Sequence, residues 1–107
     1  MKLGRDNDTV EKVKHKPKFP TAPLKCEVWV LNDDYTPQDY VVFALTTAFN
    51  KTESEAMEIM LEANSSDDGA LVGVYWKDIA YTRLREVKRL NEENGQALQF
   101  KIVEHAR

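Results

Sequence analysis

The clearest alternation of apolar and polar residues lies between residues 25 and 31, where Cys26, Val28 and Val30 share one parity. A run of this kind, rich in β-branched and aromatic residues, predicts a strand with one buried face. Cys26 is the only cysteine of the sequence, so it cannot form a disulfide within the chain, and a reducing compartment is the natural interpretation. Its parity predicts a small core residue.

A polar turn at residues 31–37 leads into a helical pattern over residues 38–49. Apolar residues recur there at the spacing of one helix face, namely Val41, Ala44, Leu45 and Ala48. We expect Thr36 to cap this helix and Pro37 to be its first residue, because the first helical position needs no N–H. Thr52 and Glu55 then form a T-x-x-E capping box, which predicts the start of a second helix.

After a polar loop at residues 64–69, the pattern predicts a strand, a long helix and a final strand. Their ranges are 71–75, 77–94 and 98–103. Gly95 is expected to end the long helix, whereas Trp76 at its start offers no acceptor for the helix amides. The order β-α-α-β-α-β indicates an α+β fold, in which a three-stranded sheet is packed by helices on one face.

Residues 1–23 contain few large apolar side chains and are interrupted by Pro17, Pro20 and Pro23. Too little apolar area is available there to offset the entropy lost on ordering the chain. We therefore predict a disordered or flexible arm over residues 1–23, followed by a single core domain over residues 24–107.

The balance of basic and acidic side chains also changes between the predicted arm and the predicted core domain. Residues 1–24 carry six basic and three acidic side chains, whereas residues 25–107 carry nine basic and fifteen acidic ones. An acidic folded part argues against nucleic-acid binding, which needs a basic face. No apolar run approaches the roughly 20 residues of a membrane span, and the N-terminus lacks the apolar segment of a secretory signal. These features predict a cytoplasmic protein that binds neither nucleic acid nor membranes.

The polar turn contains the most suggestive chemistry. Asn32, Asp33 and Asp34 are rich in acceptors and poor in donors, which suits a bound cation, an ammonium group above all. The alternative is ordinary turn chemistry, in which such side chains accept hydrogen bonds from nearby backbone amides. Because the two carboxylates are adjacent and no Cys–His, Ser–His or metal-ligand arrangement is present, we predict a binding module without catalytic residues, metal or cofactor rather than an enzyme.

The run Asn32-Asp33-Asp34-Tyr35-Thr36-Pro37 resembles the signature of the ClpS family, small adaptors that hand N-degron substrates to Clp proteases. The resemblance extends over residues 24–104. Further segments fall in the order and spacing of the family, namely Glu55-Ala56, Ile59-Met60-Leu61, Gly73-Val74-Tyr75, Ile79-Ala80 with Thr82, and Glu93-Asn94-Gly95.

The resemblance implies a ligand, the free N-terminus of a protein with a bulky hydrophobic first residue. Asn32 and Asp33 are expected to hold its ammonium group and first peptide unit, and Asp34 to support the turn or its electrostatics. The family usually has histidine as a third ammonium contact, and this chain has Asn64 at that position. Since asparagine does not titrate, we expect binding to depend little on pH between about 5 and 7.

The resemblance also implies a pocket for the first side chain of the substrate. Its members in this sequence are Thr36, Gln38, Val41, Met60, Ala63 and Leu98. The family commonly has methionine in place of Gln38 and valine in place of Ala63. A polar gate weakens apolar contacts and a smaller wall widens the pocket, so we expect a shifted or relaxed choice of first residue.

A second surface is expected to contact the N-terminal domain of a Clp ATPase. Asp78 and Arg83 match the acid and base of the family there, although both are also ordinary charges for an exposed helix. The resemblance further implies that the arm engages the ATPase during delivery, and we expect a monomer.

Two other functions stay open. One is a diverged regulator that docks on the ATPase and redirects it without binding N-degrons. The other is a generic interaction domain whose fold resembles the C-terminal domain of the ribosomal stalk protein, against which the Asn32-Asp33-Asp34 turn speaks.

Overall fold

The computed structural model describes residues 24–105 in full and the backbone of Val10–Lys14. The elements follow the order β1 (Val10–Lys14), β2 (Lys25–Val30), α1 (Gln38–Phe49), α2 (Glu53–Asn64), β3 (Ala70–Trp76), α3 (Lys77–Asn94) and β4 (Phe100–His105). In this described part the strands form one sheet with the order β1-β4-β2-β3. Strand β2 is antiparallel to both β3 and β4, and β1 runs parallel to β4.

The predicted α+β fold is confirmed, including its three helices and the antiparallel sheet formed by the three predicted strands. Cys26, Val28 and Val30 of β2 are fully buried, as their parity predicted. In β4, Phe100 and Ile102 are fully buried as well, whereas Lys101 between them is half-buried. The helices therefore cover one face of the sheet, and the buried apolar side chains between the two layers form the core.

The prediction of an arm without regular structure is wrong for Val10–Lys14, which form β1 on the free edge of β4. The remaining residues of that predicted arm lie outside the described residues. The backbone groups of an open sheet edge can pair with a chain of almost any composition. This strand is therefore specified by its partner β4 rather than by an apolar pattern of its own.

Helix ends follow the predicted capping chemistry in two places. The capping box of α2 is confirmed: the Glu55 amide donates to the Thr52 hydroxyl at 3.1 Å, and the Thr52 amide donates to the Glu55 carboxylate at 2.9 Å. Gly95 ends α3 in the left-handed conformation with φ of 65°. Trp76 gives α3 no side-chain cap, as predicted, and the Lys77 amide instead donates to the Leu24 carbonyl at 2.9 Å.

A carboxylate is buried beneath the start of α3. Glu104 of β4 is fully buried and accepts a hydrogen bond from the Tyr81 hydroxyl at 2.7 Å. The Lys77 ammonium lies 3.9 Å from its other oxygen. Burial, and then the hydrogen bond to Glu104, raise the pKa of Tyr81 well above that of an exposed phenol.

Candidate functional site

Asp33 organises the turn that follows β2. Its Oδ1 accepts the backbone amides of Tyr35 at 2.7 Å and Thr36 at 2.6 Å, and its Oδ2 accepts the Thr36 hydroxyl at 2.8 Å. The turn chemistry that the sequence offered as an alternative is therefore present at Asp33. A carboxylate has about four acceptor positions, so Oδ2 keeps one lone pair for a ligand.

The predicted N-cap of α1 is wrong by one residue. Pro37 occupies the N-cap position without a side-chain hydrogen bond, and its carbonyl accepts the amides of Tyr40 and Val41. The Thr36 amide donates to Asp33 Oδ1 and its hydroxyl donates to Asp33 Oδ2, so the carboxylate holds Thr36 in the turn before the helix. Hydrogen bonds to a charged acceptor are the stronger ones, so these two bonds hold Thr36 firmly in the turn.

Two other acceptors lie close to Asp33. Asn32 is exposed, and Asn64 is exposed at the last residue of α2. The Asn64 side-chain amide donates to the Met60 sulfur at 3.4 Å, which leaves its amide oxygen open to a donor. The end of β2 and the end of α2 thus bring a carboxylate and two amides together from distant parts of the sequence.

These residues surround one depression, which we call the turn cleft. Its lining consists of Val30, Leu31, Asn32, Asp33, Thr36, Gln38, Val41, Met60, Ala63, Asn64 and Leu98. Every predicted amine-binding and pocket residue except Asp34 is in this set. The polar members are exposed or half-buried, whereas Val41, Met60, Ala63 and Leu98 are buried. The turn cleft therefore has a polar mouth and an apolar floor, and among the described residues no basic side chain lines it.

The turn cleft is narrow. It offers about 10 Å³ to the centre of a water-sized sphere, which is room for about one water molecule. Gln38 lies exposed at the mouth and Met60 is buried in the floor. Both side chains are unbranched, and the thioether of Met60 adapts readily to a new neighbour. A side chain larger than water can enter only if such groups rotate.

Asp34 does not reach the turn cleft. It is exposed on the outside of the turn, next to Tyr35, whose exposed fraction is 92%. Of the two carboxylates in the motif, only Asp33 is directed into the turn, where it accepts hydrogen bonds. The two adjacent acids therefore occupy different environments.

A buried polar network supports the floor. The Tyr40 hydroxyl donates to the Asn91 side chain at 2.8 Å, and the Asn91 amide donates to the Leu98 carbonyl at 3.1 Å. Sequence reasoning missed both Tyr40 and Asn91, and it also missed Val30 and Leu31 in the lining. Val30 and Leu31 could have been found from their position directly before the motif. Asn91 could not, because an asparagine inside a helix carries no local signal of its hydrogen-bond partners.

Asp78 and Arg83, the two residues predicted to contact the Clp ATPase, lie in different environments. Asp78 is exposed in the first turn of α3. Arg83 is half-buried and donates to the Ala48 carbonyl at 3.1 Å, near the end of α1. Arg83 therefore has a structural contact of its own. Trp76 and Ile79 are large exposed apolar residues beside Asp78 in sequence.

Among residues 24–105 and the β1 backbone, no group of three or more histidine, cysteine or acidic residues is placed to hold a metal ion. None of the helices in that described part is long and apolar enough to cross a membrane.

Comparison with known proteins gives consistent results. The model of the family described as ATP-dependent Clp protease adaptor protein ClpS matches residues 21–101. The ATP-dependent Clp protease adapter protein ClpS of Leptospira biflexa serovar Patoc is 38% identical over 96 residues, which cover 90% of this chain and 83% of the relative. The protein of the same name from Clostridium acetobutylicum is 36% identical over 104 residues, covering 97% and 99%.

A solved structure matches the fold. The structure of Agrobacterium tumefaciens ClpS2 bound to L-phenylalaninamide superposes with a TM-score of 0.71 and 33% sequence identity. The match covers 78% of this chain and 100% of that chain.

Proposed function

This chain belongs to the ClpS family of adaptor proteins of ATP-dependent Clp proteases, and we propose that it binds N-degrons and delivers them to a Clp ATPase. ClpS proteins are adaptors and not enzymes. The proposed ligand is the free N-terminus of a protein whose first side chain is bulky and hydrophobic. The turn cleft is the proposed site, and the cytoplasm is the proposed location.

The observation that carries this proposal is the polar mouth of the turn cleft. An α-ammonium group has three donors and a positive charge, and it forms its strongest hydrogen bonds with charged acceptors. Asp33 supplies the negative charge, while Asn32 and Asn64 supply neutral acceptors on either side. Within the part of the chain that the structure describes, no lysine or arginine lines the cleft to repel an ammonium group.

The apolar floor supplies selectivity for the first side chain. Val41, Met60 and Leu98 are buried directly below the mouth. Burying a leucine or phenylalanine side chain there contributes roughly 1.5–3 kcal/mol, which favours large apolar residues over small ones. The Agrobacterium relative was solved with L-phenylalaninamide, a molecule that has a free amine and a large apolar side chain.

The narrow cleft favours a second candidate function. Room for about one water molecule, with the polar Gln38 at the mouth, is also what a regulator without N-degron binding would have. Such a protein would dock on the Clp ATPase and redirect it. The two functions differ in one property, which is whether the cleft opens for a free amine.

Titration of a fluorescent peptide that begins with phenylalanine, against its N-acetylated twin, separates the two. An N-degron adaptor binds the free amine and binds the acetylated peptide at least about tenfold more weakly, because a charge-assisted interaction is lost. Equal affinities, or no binding of either peptide, would contradict N-degron recognition. A panel of peptides that differ only in residue one then measures the selectivity of the floor.

The N-terminal domain of the Clp ATPase is the proposed partner of the exposed surface at the start of α3. Asp78 offers charge there, and Trp76 and Ile79 offer apolar area of the kind enriched in interfaces. Because Arg83 also contacts the Ala48 carbonyl, its substitution disturbs the fold as well as the surface. Asp78→Lys is therefore the sharper variant, with Asp67→Lys in the exposed loop as its control. Unchanged ATPase binding by Asp78→Lys would refute the assignment.

We propose that the protein acts as a monomer and binds neither nucleic acid nor membranes. The excess of acidic over basic residues in 25–107 supports the absence of nucleic-acid binding.

A further inference from the structure

A second depression begins where the turn cleft ends. It runs between α1 and α2 with a free volume of about 720 Å³, and we call it the helix groove. Gln38 and Met60 line both the turn cleft and the helix groove. The two depressions are therefore adjacent, and these two side chains stand between them.

The middle of the helix groove is apolar and open to solvent. Phe43 of α1 and Met57 of α2 are each 43% exposed, although both are large hydrophobic residues. Val42 packs against the core between them. Single exposed apolar residues are common on protein surfaces, but these two line the same groove from opposite helices.

The length of the helix groove matches a short extended peptide. From Gln38 to Thr46, both of which line it, helix α1 rises about 12 Å at about 1.5 Å per residue. An extended chain advances about 3.3 Å per residue. The groove therefore accommodates about three residues beyond one that occupies the turn cleft.

The charges along the helix groove suit such a ligand. Asp39 lies at the end next to the turn cleft, where the positively charged terminus of a peptide would be bound. Lys51 and Glu53 lie at the far end and offset each other. A second copy of the chain is a poor occupant, because two exposed side chains supply far less area than the roughly 1,600 Å² of a standard protein interface.

We propose that the helix groove binds residues two to four of the substrate and selects an apolar side chain at residue three or four. This selectivity is additional to that of the turn cleft for residue one, and it rests on the proposed binding of a free N-terminus there. Phe43 and Met57 are the residues that contact the apolar side chain.

The test uses two fluorescent peptides that both begin Phe-Ser and continue with either Leu-Leu or Ser-Ser. The full chain is expected to bind the Leu-Leu peptide about fivefold or more tightly than the Ser-Ser peptide. Met57→Gln is expected to remove most of this ratio, because it lowers the affinity for the Leu-Leu peptide far more than the affinity for the Ser-Ser peptide. Leu61→Gln is the matched control, because Leu61 is 55% exposed on the same helix but does not line the groove.

Equal affinity of the wild-type protein for both peptides, or an equal effect of Leu61→Gln and Met57→Gln, would overturn the assignment of the helix groove. Tight binding of the Ser-Ser peptide in that case would leave the function of the turn cleft intact. Failure of both peptides to bind would overturn the turn cleft and the groove together. If Met57→Gln instead abolished self-association in sedimentation, or ATPase binding without substrate, the groove would belong to that interface and the proposal would be wrong.

Discussion

The carboxylate of Asp33 accepts the backbone amide of Thr36 at 2.6 Å and its hydroxyl at 2.8 Å, so one acid holds both hydrogen-bond donors of the residue that precedes Pro37. This relationship fixes the acid in the turn before any ligand arrives. A preorganised charge loses little entropy on binding. The same carboxylate therefore stabilises the turn and serves as the proposed anchor of the substrate ammonium group.

Asp33→Asn should separate the charge from the turn. It keeps one carbonyl oxygen for the Tyr35 and Thr36 amides but removes the negative charge. We expect affinity for a Phe-initiated peptide to fall at least about tenfold, the typical value of a hydrogen bond to a charged group. Asp34→Asn is the control, since Asp34 is exposed outside the turn cleft. A similar loss in both variants would show that net charge, and not the position of Asp33, determines binding.

Gln38→Met should strengthen binding of a large apolar first residue. Replacing the polar side chain at the mouth with an apolar one adds contact area, and we expect affinity for Phe- and Leu-initiated peptides to rise about fivefold. Thr47→Met places the same side chain on the exposed side of α1, away from the cleft, and should change nothing. Fluorescence anisotropy measures both variants. Unaltered affinity in Gln38→Met would show that Gln38 does not gate the site.

Asn64 predicts an unusual pH profile. Because asparagine does not titrate, it contributes no pH dependence to peptide affinity between about pH 5 and 7. In Asn64→His, the imidazole gains a proton below about pH 6.5 and repels the peptide ammonium. Affinity of that variant should therefore fall as the pH is lowered. Both proteins should lose affinity above about pH 8, where the peptide amine loses its proton. If the peptide affinities of wild type and Asn64→His depended on pH in the same way below pH 7, Asn64 would not contact the ammonium group.

Gly69 supports the strand end that carries the motif. It has φ of 86°, and an added Cβ would lie 2.2 Å from the Val30 carbonyl oxygen. Gly69→Ala should lower the free energy of unfolding by at least about 2 kcal/mol. Gly95→Ala is the matched control, because Gly95 also has positive φ but no atom within 4 Å of the added Cβ. Gly95→Ala should lower the free energy of unfolding by only about 1 kcal/mol. Equal losses in urea unfolding would contradict a steric role for Gly69.

Tyr81→Phe should destabilise the protein by about 1–3 kcal/mol at neutral pH, because it leaves a buried oxygen of Glu104 without its donor. The pKa of Tyr81 is raised by burial and by Glu104. The folded state therefore keeps a proton that the unfolded state loses near pH 10, and stability falls as the pH rises above that value. The difference in the free energy of unfolding between wild type and Tyr81→Phe should therefore become smaller above about pH 10. The exposed Tyr35→Phe should show neither effect.

Local patterns in the sequence predicted much of the fold. The parity of Cys26, Val28 and Val30, the Thr52–Glu55 capping box and the Gly95 stop each depend on residues within a few positions of one another. Such patterns report the backbone conformation directly. The lining of the turn cleft followed instead from the resemblance to a family, because no local rule brings Asn64 or Leu98 to Asn32.

The features that the sequence did not predict are long-range pairings. Strand β1 exists through hydrogen bonds to β4, about 90 residues further along the chain. Arg83 contacts the Ala48 carbonyl, and Asn91 joins Tyr40 to Leu98. Thr36 donates its amide and its hydroxyl to the Asp33 carboxylate, and the N-cap position falls at Pro37 instead. Only the three-dimensional arrangement decides such cases.

Capture of a free amine in the turn cleft is tested most directly by a residue-resolved NMR titration of the ¹⁵N-labelled chain with L-phenylalaninamide and with its N-acetylated form. We expect saturable shifts at the backbone amides of Asn32 and Asp33 and at the side-chain amide of Asn64 with the free amine, and none with the acetylated form. Shifts confined to other surfaces, equal shifts with both compounds, or no shifts at all would contradict capture of a free N-terminus in the turn cleft.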